Sequence, residues 1–70
     1  MALNDFLRWI PTTLERRWAT TTPNGNVIGC LQKKVRDNLP YLLYVNGVLT
    51  SKASYEGDAY REYNKLCANN

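Results

Sequence analysis

A small α+β domain is the fold class this sequence predicts, and three observations predict it. Ile28, Leu31, Val35 and Leu39 recur at i, i+3, i+7 and i+11, the spacing of one helical face. Asn46-Gly47 stands between two β-prone runs, the strongest short-range signal for a hairpin. Ala59, Tyr63 and Leu66 form an apolar stripe in the last segment, again at helical spacing. Seventy residues, 44% of them apolar, suffice for one core and no second domain. Ordering such a chain costs on the order of 100 kcal/mol in conformational entropy, so nearly every apolar side chain is needed inside.

Taken in order, residues 1–11 form an N-terminal helix or an extended arm. Leu3, Phe6, Leu7 and Ile10 supply the apolar face, Asn4 or Asp5 can cap it, and Pro11 ends it. Residues 12–38 read as two helices joined by a turn. Thr12-Thr13-Leu14-Glu15 fits a capping box, and Leu14 and Trp18 lie one turn apart. The polar run from Thr20 to Gly25 stops that helix; a strand over 13–21 is the rival, because Trp and Thr favour strands. The helix carrying Ile28, Leu31, Val35 and Leu39 places Asn26, Gly29, Lys33, Arg36 and Asp37 on its opposite arc, with Gln32 at the border. Pro40 ends it near Asn38. Gly29 costs a helix about 1 kcal/mol relative to Ala, and such a residue often marks close approach by another surface.

Residues 40–53 form the hairpin, Tyr41–Val45 and Val48–Lys52 about a type I′ turn. An unbroken register pairs Val45 with Val48, Leu43 with Thr50 and Tyr41 with Lys52. Tyr41 and Tyr44 then point to opposite faces, so one of them is exposed. Residues 54–70 form the C-terminal helix, Tyr55–Ala68 with Ser54 as cap. Tyr60 and Cys67 flank its stripe, and Asp58–Arg61 and Glu62–Lys65 are spaced as exposed ion pairs. Should residues 13–35 form two strands instead, the fold becomes a four-stranded meander covered by the last helix.

Composition excludes much chemistry. There is no histidine, hence no imidazole general base and no His-dependent triad. Cys30 and Cys67 match no metal-binding spacing and are expected as free thiols. No Gly-rich phosphate loop is present, and Asp58 and Glu62 stand among basic neighbours on a solvated helix. The expectation is a binding protein without cofactor or metal, not an enzyme. Asp5 and Arg8 interrupt the apolar start, and no run is long enough to span a bilayer. A soluble protein in the cytoplasm of a bacterial host cell is expected.

The element order, two helices, a Pro exit and a hairpin, is that of a winged helix-turn-helix, whose second helix enters the major groove of DNA. Asn26, Gln32, Lys33 and Arg36 are side chains of the type that read base edges. Arg16 and Arg17 are placed to touch phosphates, which position a protein without reading sequence. Net charge is +3, and Arg16, Arg17, Lys33, Lys34 and Arg36 fall within the two-helix unit. Trp9 and Trp18 are read as core rather than as platforms on which bases stack.

Leu14-Glu15-Arg16-Arg17-Trp18-Ala19, Val27 to Val35, Leu39-Pro40 and Val45-Asn46-Gly47 together resemble the small excisionase and Cox-type regulators of temperate phages, over residues 12–53. The resemblance implies cooperative binding to duplex DNA that directs recombination by an integrase or represses a promoter. It implies base contacts from Asn26, Gln32, Lys33 and Arg36 and backbone contacts from Arg16, Arg17 and Lys52. The wing tip differs from that pattern, since Val45-Asn46-Gly47-Val48 carries no cation. The alternative is a phage- or mobile-element-encoded inhibitor or adaptor that grips a host protein with its hairpin and aromatic surface.

Overall fold

The computed structural model describes residues 1–70 and orders them as α1 (Leu3–Trp9), β1 (Leu14–Thr21), β2 (Val27–Lys33), β3 (Tyr41–Val45), β4 (Val48–Ala53) and α2 (Glu56–Asn69). The four strands make one antiparallel sheet in the order β1-β2-β3-β4, so each strand lies beside its neighbour in sequence. The α+β class holds, and the meander is the arrangement the chain adopts. Residues 12–38 contain a β-hairpin and a loop where two helices were expected.

The physical reason lies in β2. It is an inner strand covered on both faces, and Val27-Ile28-Gly29-Cys30-Leu31 is buried throughout. A strand covered on both faces reads as a continuous apolar run and loses the alternation that would identify it. Ile28 and Leu31 point to opposite sides of the sheet, into separate clusters. Val35 is 73% exposed and contributes to neither. The helical spacing was thus coincidental, joining a central strand to a solvated loop. In β1 the β-forming Trp18, Thr20 and Thr21 prevail over the capping-box pattern. The Leu14 N–H donates to the Pro11 carbonyl at 3.1 Å, in a turn that leads into the strand.

One face of the sheet packs under α2. Ile28, Cys30, Tyr41, Leu43 and Ala53 meet Ala59 and Tyr63 there, with Trp18, Val45, Leu66 and Cys67 around them. Under α1, on the other face, Phe6 packs with Val27, Leu31, Leu42 and Tyr44. Both Tyr41 and Tyr44 are buried, contrary to the expectation that one would face solvent, because each face has its own helix. Gly29 is where α1 comes closest to the sheet. A Cβ there would lie 2.4 Å from Cε2 and Cζ of Phe6, so only glycine lets that ring settle on β2.

The hairpin forms with its expected turn, Asn46 at φ 52° and Gly47 at φ 81°. Val45 pairs with Val48 as predicted, but Leu43 then faces Ser51 and Tyr41 faces Ala53. Thr50 is the extra residue that shifts the register, a β-bulge. Arg17 is a second bulge, in β1, between the Arg16–Leu31 and Trp18–Cys30 pairs. Helix ends also differ from expectation. Ala2 and Tyr55 occupy the N-cap positions, without side-chain caps, in place of Asn4 or Asp5 and Ser54. The Asp58–Arg61 pair forms, and Glu62 and Lys65 remain apart.

Three asparagines tie the turn end of the sheet to α2. The Asn26 Nδ2 donates to the Asn70 carbonyl at 2.7 Å, and the Asn46 Nδ2 donates to the Asn26 Oδ1 at 3.0 Å. The Thr22 hydroxyl donates to the same Asn70 carbonyl at 2.8 Å. No helix is long and apolar enough to cross a membrane.

Candidate functional site

Strand register decides where the cations stand. Arg16 pairs with Leu31, and Leu42 pairs with Lys52. Leu31 and Leu42 face α1, so Arg16 and Lys52 extend that row on the same face, one from each edge strand. Lys33 pairs with Leu14, which also packs under α1. The bulges make this possible. In an unbroken strand Leu49 and Lys52 would point to opposite faces; the extra Thr50 brings both to the α1 face. The extra Arg17 likewise lets Arg16 face α1 while Trp18 packs under α2.

Further cations gather at the end of the sheet where Leu14 and Lys33 lie. Arg8 is exposed on the last turn of α1, and Lys34 and Arg36 are exposed in the loop after β2. The Lys34 N–H donates to the Thr13 carbonyl at 3.0 Å, which holds this loop beside the start of β1. Arg8, Arg16, Lys34, Arg36 and Lys52 have no carboxylate at ion-pair distance. The loop contains one acid, Asp37, which binds the Lys33 Nζ at 2.9 Å and accepts the Leu39 N–H at 3.0 Å. The Leu39 amide and the Lys33 ammonium hold the Asp37 carboxyl below its ordinary pKa. The outer surface of α2 is different, with Glu56, Asp58 and Glu62 set against Arg61 and Lys65.

An aromatic side chain is exposed beside Arg8 at the end of α1. Trp9 stacks on Phe6 at 6.0 Å between ring centroids and meets Tyr44 edge-on at 5.4 Å. Unlike either neighbour it is 47% exposed, so the expectation of a core tryptophan fails here. Burial pushes the Tyr44 phenol above its ordinary pKa, and the positive charge of Lys33 opposes that shift. Trp18 does pack as expected, edge-on to Tyr60 at 5.1 Å and beside Tyr63.

The seven residues singled out from sequence do not share a helix. Asn26 is in the β1–β2 turn, with its amide engaged by Asn46 and Asn70. Gln32 pairs with Tyr41 and so faces α2. Arg17 reaches Glu56 and lies with its guanidinium 5.6 Å from the Trp18 ring. Arg16, Lys33 and Lys52 are the three that the register brings to the α1 face, and Arg36 is exposed in the loop after β2. Sequence reasoning missed Arg8 and Trp9; a chemical signal for both was present in the Arg8-Trp9 pair at the end of α1.

Nucleophilic chemistry finds no support in the cysteines. Cys30 is fully buried, and burial pushes its thiol up to about 11, so it is held protonated. Burial raises the Cys67 thiol as well. One open groove of about 550 Å³ runs between β4 and α2, where the carboxylates of Asp58 and Glu62 stand among Lys52, Arg61 and Lys65. No family model matches the chain, and no curated protein or solved structure matches it; nothing there links it to the excisionase and Cox-type regulators.

Proposed function

We propose that this protein binds nucleic acid through the phosphate backbone, using the cationic side of the α1 face. One observation carries the proposal: strand register brings Arg16, Lys33 and Lys52 to the α1 face, and neither Arg16 nor Lys52 has a carboxylate at ion-pair distance. Unpaired cations on a flat sheet suit phosphates, whose neutralisation releases counterions and supplies affinity without sequence readout. With β2 where a major-groove helix was expected, the proposal keeps the backbone contacts of Arg16 and Lys52 and leaves out helical base readout. An architectural role beside a recombinase, with several copies along the DNA, remains the biological setting that the sequence resemblance implies.

Fluorescence anisotropy with mixed-sequence DNA at low and moderate salt tests the proposal. Four to six phosphate contacts give a slope of log affinity against log salt of about −4 to −5. Replacing both Arg16 and Lys52 by Ala reduces that slope by about 2 while the thermal melt stays unchanged. A flat salt response, or no binding at micromolar protein, refutes it.

A second reading, an adaptor that docks on a host protein, is favoured by Leu49, an exposed apolar side chain on the α1 face of the edge strand β4. It predicts no binding to any polyanion, and loss of partner binding on Leu49→Asp.

A further inference from the structure

We infer that the nucleic acid this surface takes is single-stranded, with one unpaired base stacking on Trp9. The inference rests on the phosphate-binding reading above and adds the feature that reading does not use.

Indole is the side chain a 70-residue domain can least afford to leave in water, yet Trp9 is 47% exposed while Phe6, one helical turn earlier, is fully buried. The exposure is fixed in place. Phe6 backs the indole with an interplanar angle of 29°, and Tyr44 abuts it at 71°, so the ring is held without a mobile stem. A rigid aromatic surface suits a base, because little side-chain entropy is lost on stacking. The surroundings are cationic. Arg8 precedes it in sequence, Arg16, Lys33 and Lys52 stand on the same face, and Asp5, one turn earlier, is the one acid of α1. Leu49 pairs with Tyr44 and extends the apolar floor toward β4.

Together these make the two parts of a single-strand site, a cationic track for the backbone and a π-surface for a base. A duplex offers its phosphates but keeps its base faces stacked inside, out of reach of an indole held between Phe6 and Tyr44. Side chains that wedge between paired bases project from the protein surface, and Trp9 is braced on two sides.

The test uses the full chain carrying Trp18→Phe, which leaves Trp9 as its one indole. The probes are an oligothymidylate of about 15 nucleotides, the same strand in duplex form, and heparin, a polyanion without bases. The oligothymidylate should quench Trp9 emission, and heparin should bind without quenching. In the otherwise native chain, Trp9→Leu keeps an apolar contact with Tyr44 and should weaken oligothymidylate binding about tenfold. Its heparin affinity should stay within about twofold, since counterion release is untouched. A thermal melt confirms that Trp9→Leu is folded; Trp9→Phe, which retains a smaller ring, should recover part of the affinity. Equal loss toward oligothymidylate and heparin, no loss toward either, or a duplex bound as tightly as the single strand overturns the inference. In those cases salt-sensitive binding still supports the phosphate reading. Absence of binding to all three probes overturns both.

Discussion

The two faces of the sheet share the same strands but are covered by helices of unequal length. The 14-residue α2 lies along one face and shelters Cys30, Leu43 and Tyr63, with Trp18 packed at its border. The seven-residue α1 covers the other face only in part, leaving Trp9, Leu49, Arg16 and Lys52 open to solvent. The difference teaches where each kind of work can be done. A face under a long amphipathic helix is closed and contributes stability. A face under a short helix keeps enough sheet to fold on and enough surface to bind with.

The sharpest way to break this comparison is to ask whether the partly covered face matters to folding at all. Phe6→Ala removes the ring that fastens α1 and should destabilise by about 3–5 kcal/mol, measured by urea unfolding. A domain of this size has roughly 4–10 kcal/mol in total, so most of the protein would be near its unfolding threshold. A loss under about 1 kcal/mol would mean that α2 alone supports the sheet.

Alkaline pH probes the closed face. Burial pushes the Cys30 thiol from 9.0 up to about 11 and the Tyr63 phenol from 10.0 up to about 12. Both groups are raised in the folded state, so the unfolded chain releases its protons first as pH rises. Stability is therefore level below pH 9 and falls as pH climbs from 9.0 toward 11 and 12. The Cys30 contribution is on the order of 2 kcal/mol. Thermal melts across that range should show the early part of the fall shrink in Cys30→Ala, the remainder belonging to Cys67, whose thiol burial also raises. An unchanged profile would mean that the α2 face is wetter than its packing indicates.

Gly29→Ala sharpens the comparison from the other side. The new Cβ meets the Phe6 ring and should cost about 1–3 kcal/mol, with Phe6→Leu in the same chain restoring part of it. Failure of the double variant to recover any stability would place the strain elsewhere. Least affected is the solvated surface of α2, where Arg61→Ala breaks the Asp58 pair and should cost under about 0.5 kcal/mol.

These positions also mark how far the sequence could be read. The Asn46-Gly47 turn and the stripe of α2 were legible because their signals are local, within a few residues of chain. β2 was not, since burial on both faces removes the alternation of a strand and left Ile28, Leu31, Val35 and Leu39 to mimic a helix. Nor were the bulges legible: nothing in Arg16-Arg17-Trp18 or Leu49-Thr50-Ser51 announces which residue will be left unpaired. For the candidate site, Arg16, Lys33 and Lys52 could be named from their chemistry. Their gathering could not, because it depends on register across four strands. Trp9 was assigned to the core on composition, and only the shortness of α1 leaves it open.

The two bulges have a consequence for assembly. Each edge strand of the meander carries one residue too many, Arg17 in β1 and Thr50 in β4, and the backbone kinks there. Bulges are among the devices by which edge strands discourage pairing with a further strand, so the same insertions that aim Arg16 and Lys52 make both margins poor templates for sheet growth.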